Sequence, residues 1–371
     1  MIRTAIVLPA GYRFSEARPN SIETVVRTLA GAAEDRRSLM IFADQGADDH
    51  GDLPVTTVPR IKDRARRADI VADAVRSWDP ELIEAHQHAP TASRLARAFP
   101  DRPVVLYRHN MTPPPRGWLS RWRYHHRLKP IAAHLFVSET ARSDFERDYP
   151  AFAGRAFAVP NPIDARPWLA DPEAREPLIA FAGRATPEKG LDLLCQALPR
   201  LLGRHSAWRA ELLLADWSMH GGWAEGPLRA LEPLGDRVRV IRDAPLAQVR
   251  STLQRAAIVA VPSVWKEPFG LAALEAHAAG AAVVSSGTGG LKEASGEHAA
   301  YVEPLTAETL ATALEQLILD PAERSRLARS GQAFVADAHS PERRAAQLEA
   351  LRRRIVELHR RPQVGSVAAG M

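Results

Sequence analysis

The sequence predicts an α/β protein made of two doubly wound parallel-sheet domains. Short apolar runs alternate with amphipathic helical patterns in two successive series, which implies parallel sheets covered on both faces. A Pro- and charge-rich stretch, Pro160 to Pro177, separates the series. The length, 371 residues, also exceeds the ~250–300 that one core serves. The first domain is expected over 1–165 and the second over 171–344. The tail, Pro341 to Arg361, is a long Arg-rich helical pattern, expected from about 345 to pack back on the first domain, and Pro362 to Met371 reads as a frayed end.

In the first series the strand candidates are Ala5–Leu8, Leu39–Ala43, Leu82–Ala85, Val104–Tyr107 and Leu135–Val137. Between the first two, Ile22, Val25, Val26 and Leu29 recur at i, i+3, i+4, i+7, the stripe of an amphipathic helix. In the second series the candidates are Leu178–Ala182, Leu212–Ala215, Val238–Ile241, Ile258–Val261 and Ala282–Ser285, with helices between them.

Composition narrows the class. Hydrophobic residues at 46% and charged residues at 25% are ordinary globular usage. A single cysteine, Cys195, excludes a disulfide framework and a Cys-based zinc site, and its Leu-rich surroundings predict a buried thiol. The apolar run at Ile6–Leu8 is too short for a signal peptide, and no stretch approaches the ~20 apolar residues of a spanning helix. A cytoplasmic protein is expected. The net charge is +5, and all of the excess lies in residues 1–170, with 25 Lys and Arg against 20 Asp and Glu. The remainder balances at 24 against 24, so the first half is directed at an acidic surface.

Open parallel sheets bind ligands beyond the carboxyl ends of their strands. Neither a GxGxxG fingerprint nor a GxxxxGK[ST] loop occurs, and Gly287-Thr288-Gly289-Gly290 reads as a Gly-rich turn only. No paired-His spacing or Asp-x-Asp supports a metal site. Two segments carry the chemistry. Gly183-Arg184 through Lys189-Gly190 follows a strand end, so a planar guanidinium and a point-charge ammonium bracket a turn and suit a diphosphate. In the second, Glu267 follows a strand, Phe269-Gly270 opens a helix whose free amides favour an anion, and Glu275 lies in that helix. Flanked by Ala272, Ala273, Leu274 and Ala276, Glu275 needs hydrogen-bonding partners, which a vicinal diol such as a ribose supplies. A structural carboxylate bonded to backbone is the alternative.

Together these segments resemble the retaining glycosyltransferases of family 4, whose GT-B fold has two facing Rossmann-like domains with a cleft between them. Val159-Pro160-Asn161-Pro162-Ile163-Asp164 resembles the family's domain-joining stretch, with Pro162 where the family has glycine. The resemblance implies a hexosyltransferase acting on a nucleotide diphosphate sugar, with a UDP-sugar favoured and GDP-mannose as the alternative. It also implies a glycan or lipid-linked acceptor, retention of configuration, no cofactor and no metal, in bacterial surface-polysaccharide or lipopolysaccharide synthesis. Arg184, Lys189 and the amides at Phe269-Gly270 would hold the diphosphate. Glu267, with Pro268 and Leu271 around it, would hold the sugar, and Glu275 the ribose. His109, after the Val104–Tyr107 strand, would orient the sugar. Gly11 and Asn20 fall in the loop where the family carries more glycine, and Leu214-Ala215-Asp216-Trp217 replaces its usual Gly-Asp-Gly.

Finally, Arg116, Arg121, Arg123, Arg127 and Lys129 are interleaved with Trp118 and Trp122, a basic aromatic stretch suited to anionic lipid at the inner membrane face. No nucleic-acid motif accompanies it. Two rival readings remain: a sugar-nucleotide epimerase of the same fold, and a non-catalytic nucleotide-sugar or membrane-binding protein.

Overall fold

In the computed structural model, residues 1–16, 20–47 and 49–360 are described. The chain divides into two compact units, Met1–Val159 with the tail from Pro341, and Pro160–Ser340. The division falls at Val159/Pro160 instead of between 165 and 171. Asn161 and Ile163 already belong to the second unit: the Ile163 amide donates to the His339 carbonyl at 2.9 Å, and His339 Nδ1 lies 3.2 Å from the Asn161 carbonyl.

The first unit runs β1 (Thr4–Val7), α1 (Ser21–Gly31), β2 (Leu39–Asp44), β3 (Val55–Val58), α2 (Arg64–Trp78), β4 (Leu82–His86), α3 (Ala89–Ala98), β5 (Val104–Arg108), α4 (Trp118–Leu128), β6 (Ala133–Phe136), α5 (Glu139–Asp148) and β7 (Ala156–Ala158). Its parallel sheet has the order β3-β2-β1-β4-β5-β6-β7. The α1 stripe at Ile22, Val25, Val26 and Leu29 is buried as the periodicity requires. Asn20 caps this helix, accepting from the Ile22 and Glu23 amides at 3.0 and 3.1 Å.

The second unit runs β8 (Glu176–Arg184), α6 (Leu191–Arg204), β9 (Arg209–Ala215), α7 (Trp217–Leu228), β10 (Val238–Arg242), α8 (Leu246–Arg255), β11 (Ala256–Val261), α9 (Leu271–Ala278), β12 (Ala282–Ser285), α10 (Leu291–Ser295), β13 (Ala299–Tyr301), α11 (Ala307–Leu319) and α12 (Pro321–Ala338). Its sheet order is β10-β9-β8-β11-β12-β13, also parallel. Cys195 is fully buried in this core, and burial, with Asp192 nearby, pushes its thiol up to about 12. The last helix, α13 (Pro341–Arg360), belongs to the first unit and matches the Arg-rich helical pattern that starts at Pro341. Residues 361–371 lie outside the described residues.

Strand order reverses between β1 and β4 in one sheet and between β8 and β11 in the other. The ends of these strands are therefore the places where each sheet offers a crevice for a ligand.

Candidate functional site

The β8 and β11 ends of the second unit bring together two of the expected clamp residues. A single tight turn, Pro187–Lys189, follows β8 and ends at Gly190 in the left-handed conformation, φ +70°. A Cβ on Gly190 would stand 1.9 Å from the Pro262 carbonyl oxygen, so only glycine lets this turn approach the β11 loop. That approach places Lys189 Nζ 2.5 Å from Glu267 Oε1, and the Ser263 hydroxyl donates to the same oxygen at 2.6 Å. Glu267 is buried. Lys189 is therefore paired with a carboxylate in this structure. Arg184 is exposed and makes no ion pair among the described residues.

Glu275 sits one turn into α9. Ala273, Leu274, Ala276, His277 and Ala278 are buried, while Leu271, Ala272 and Glu275 are half-buried. The helix thus has one open side, and Glu275 is on it. Burial nonetheless raises the Glu275 carboxyl to about 7, with Arg250 opposing the rise. Its carboxylate has no hydrogen-bond partner among the described residues, so the backbone-bonded alternative does not describe it. Gly270, φ +127°, starts the helix with no side-chain cap, leaving its first amides for an anion. Phe269 is inside, edge-on to His339 with ring centroids 5.4 Å apart, and Pro268 is also buried. Both shape the loop from within, and a ligand would meet the backbone here.

The Gly-rich turn has a part the sequence did not reveal. Gly290 N donates to Glu267 O at 2.8 Å, and the Thr288 hydroxyl donates to Trp265 O at 2.8 Å. A Cβ on Gly289 would lie 2.2 Å from the Glu267 carbonyl oxygen. The turn after β12 therefore backs the Glu267 loop directly, and its glycines serve close backbone approach.

In the first unit, Gly11 and Asn20 are committed internally. Gly11, φ +93°, donates its amide to Asp44 Oδ2 at 2.7 Å, and Asp44 is in turn paired with the buried Arg67 at 2.5 Å. The Asn20 side-chain oxygen serves the α1 cap. Glu23 closes the box, accepting from Asn20 N at 3.2 Å and Phe14 N at 2.9 Å.

His109 lies just beyond β5, buried, in a network that motif reading missed. His86 Nδ1 is 2.8 Å from His109 Nε2, and His86 Nε2 is 2.9 Å from Glu84 Oε1. Arg352 of α13 donates through Nε and Nη2 to Glu84 Oε2 at 3.0 and 2.9 Å. Burial alone would raise the Glu84 carboxyl, but Arg352 and His86 outweigh it and bring it down to about 2. Burial holds His109 well below the usual imidazole range, with His86 adding to the effect. Gln87, at φ +61°, accepts from the His109 and Asn110 amides at 2.9 and 3.2 Å. The available signal was polar: Glu84 and His86 alternate with Ile83 and Ala85 at the end of a strand.

The basic aromatic stretch is helix α4. Only Leu128 is buried, while Tyr124 turns inward toward Tyr149, ring centroids 5.1 Å apart. Trp118 (76% exposed), Leu119 and Trp122 (56%) point outward, so the tryptophans do not pack against the core. Arg116, Arg121, Arg123, Arg127 and Lys129 are exposed beside them. The sequence carries no Asp or Glu between Asp101 and Glu139.

The profile described as Glycosyl transferases group 1 matches residues 169–334, and that described as Glycosyltransferase Family 4 matches residues 22–166. Each of the two units thus matches a glycosyltransferase profile over most of its length. Its fold is the GT-B fold: a Rickettsia africae glycosyltransferase superposes with a TM-score of 0.78 at 15% identity, covering 96% of this chain and 99% of the other. HepE of Anabaena, solved in complex with UDP, gives 0.75 at 16% identity, covering 94% and 99%. Among curated relatives, the D-inositol 3-phosphate glycosyltransferase of Rhodococcus opacus is 36% identical over 42% of this chain and 36% of its own length. A glycogen synthase of Mycobacterium tuberculosis is 29% identical over 69% and 64%. The chain thus spans about one third to just under two thirds of these two relatives. The lipopolysaccharide 1,2-N-acetylglucosaminetransferase of Salmonella typhimurium is 25% identical over 75% of this chain and 74% of its own length.

Proposed function

We propose that this glycosyltransferase moves a hexose, with retention of configuration and without a metal, from a nucleotide diphosphate sugar to a hydroxyl of a glycan or lipid-linked glycan. The observation that carries the reading is the Lys189–Glu267 pair just ahead of the uncapped start of α9, with Glu275, which has no hydrogen-bond partner among the described residues, one turn into that helix. Departure of a nucleoside diphosphate builds negative charge on the leaving oxygens while the sugar ring becomes positive. Preorganised donors at the first and a carboxylate at the second favour this separation. Arg184 and the α9 amides meet the diphosphate, with Lys189 turning to it from Glu267. Glu267 holds sugar hydroxyls and faces the developing positive ring, and Glu275 accepts from the ribose diol. The resemblance assigns His109 to the donor sugar. A UDP-sugar is favoured, supported by the UDP held by HepE, and the Salmonella relative supports a cell-surface polysaccharide or lipopolysaccharide acceptor.

Helix α4 supports a peripheral position on the inner face of the inner membrane. Trp118 and Trp122 would sit at headgroup depth while the flanking cations meet anionic lipid. No helix among the described residues is long and apolar enough to cross a membrane. Thermal-shift screening of UDP-, GDP- and ADP-sugars, followed by product analysis with and without glycan acceptor, tests the reading. Nucleotide release that depends on acceptor supports it. Sugar isomerisation without acceptor contradicts it in favour of an epimerase.

A further inference from the structure

The buried chain Arg352–Glu84–His86–His109 lies wholly within the first unit, and its hydrogen-bonding chemistry fixes where its protons reside. Glu84 and His86 are two apart on β4 and share one face of the sheet. Tyr107, cross-strand from His86 on β5, has its ring 5.2 Å from that of His86 and 4.9 Å from that of His109. The Tyr107 hydroxyl is anchored on the Val159 carbonyl at 3.1 Å. The imidazoles are therefore fixed in plane by stacking as well as by their edges.

An ionised Glu84 only accepts, so the proton of His86 lies on Nε2. In its neutral form His86 then presents a lone pair at Nδ1. Against a lone pair, His109 Nε2 must carry its proton. His109 Nδ1 then has no proton, and it has no hydrogen-bond partner among the described residues.

We propose that Arg352, Glu84 and His86 are positioning residues that hold His109 in the Nε2-protonated tautomer, so that its Nδ1 serves as a fixed acceptor for a hydroxyl of the donor sugar. The inference rests on the function proposed above for its substrate, and on the geometry of the first unit for the tautomer. Gln87 adds the backbone restraint, since it holds the His109 and Asn110 amides at once. Glu84 on β4, Tyr107 on β5 and Arg352 on α13 border the pair, and Arg352 also lies 3.6 Å from Glu349.

Histidine-labelled protein, with His109 assigned through His109→Gln, reports each ring nitrogen by two-bond 15N–1H correlation. In the wild-type protein His109 is expected as the Nε2–H tautomer alone, and in His86→Leu as a mixture. With a nucleotide-sugar donor, His86→Leu should lower kcat roughly tenfold and change KM less than about twofold. An Nδ1–H tautomer in the wild type overturns the proposal without any variant. A single unchanged tautomer in folded His86→Leu overturns it as well, and so does a tautomer shift with unaltered kcat. If the wild-type tautomer is as expected but no nucleotide sugar is turned over, the glycosyltransferase reading fails while the tautomer assignment stands.

Discussion

Lys189 Nζ donates to Glu267 Oε1 at 2.5 Å across 78 residues of sequence, and Ser263 shares the same oxygen. The pair locks the loop after β8 to the loop after β11, with Gly190 allowing the approach. Lys189→Ala leaves a buried carboxylate with one hydroxyl for company. Breaking such a pair costs about 2–4 kcal/mol of stability, allowing for the partial exposure of Lys189. It should also cost ~2–4 kcal/mol of transition-state stabilisation. Adding Glu267→Gln to Lys189→Ala should restore most of the stability and none of the turnover, measured by urea unfolding and initial rates. Additive losses of stability would show the two groups to be uncoupled.

Glu275→Gln separates stability from binding. Burial raises the Glu275 carboxyl to about 7, above its ordinary 4.5. The folded state therefore carries an unfavourable carboxylate that becomes charged as pH rises through about 7. The variant should match the wild type in stability near pH 4.5 and exceed it at pH 8 by about 1–3 kcal/mol. Its affinity for UDP should fall about tenfold, the scale of a hydrogen bond to a charged group. Thermal unfolding at both pH values and calorimetry check the two effects.

His277 is fully buried at the base of α9. Burial, with His298 and His339 nearby, lowers it to about 3 from 6.5. Its stabilising contribution is present above about pH 6.5 and shrinks as pH falls toward 3, because the unfolded chain takes up the proton first. At pH 5 the loss is about 2 kcal/mol. His277→Leu should be less sensitive to acid than the wild type when urea midpoints at pH 5 and 7.5 are compared.

Changing Arg121, Arg123 and Arg127 together to Glu on the exposed face of α4 should abolish binding to vesicles containing anionic lipid. Each cation contributes ~1 kcal/mol near such a surface, and salt screens it. Co-sedimentation at low and high salt checks this, and donor hydrolysis in solution should persist in the variant. Equal, salt-insensitive pelleting of both proteins would leave α4 a solvated helix.

The central strands were legible because buried parallel strands are continuous apolar runs. The strands that escaped, β3, β7 and β13, are all at sheet edges and only four, three and three residues long. Lys189, Glu267 and Glu275 stood out in the sequence because each segment carries its own chemistry within a few residues. Arg352 and Glu84 were not: 268 residues separate them, and an arginine in a basic helix gives no sign that one of its kind is buried. Gly11 and Asn20 show the converse, since a loop in the right place can spend its polar groups on its own fold.

Calorimetric titration of the intact protein with UDP is the most direct test of the nucleotide site on which the account depends. One saturable site is expected, weakened about tenfold by Glu275→Gln and unaffected by the α4 substitutions. Absence of heat and of competition by UDP, GDP and ADP alike, in folded protein, would contradict it.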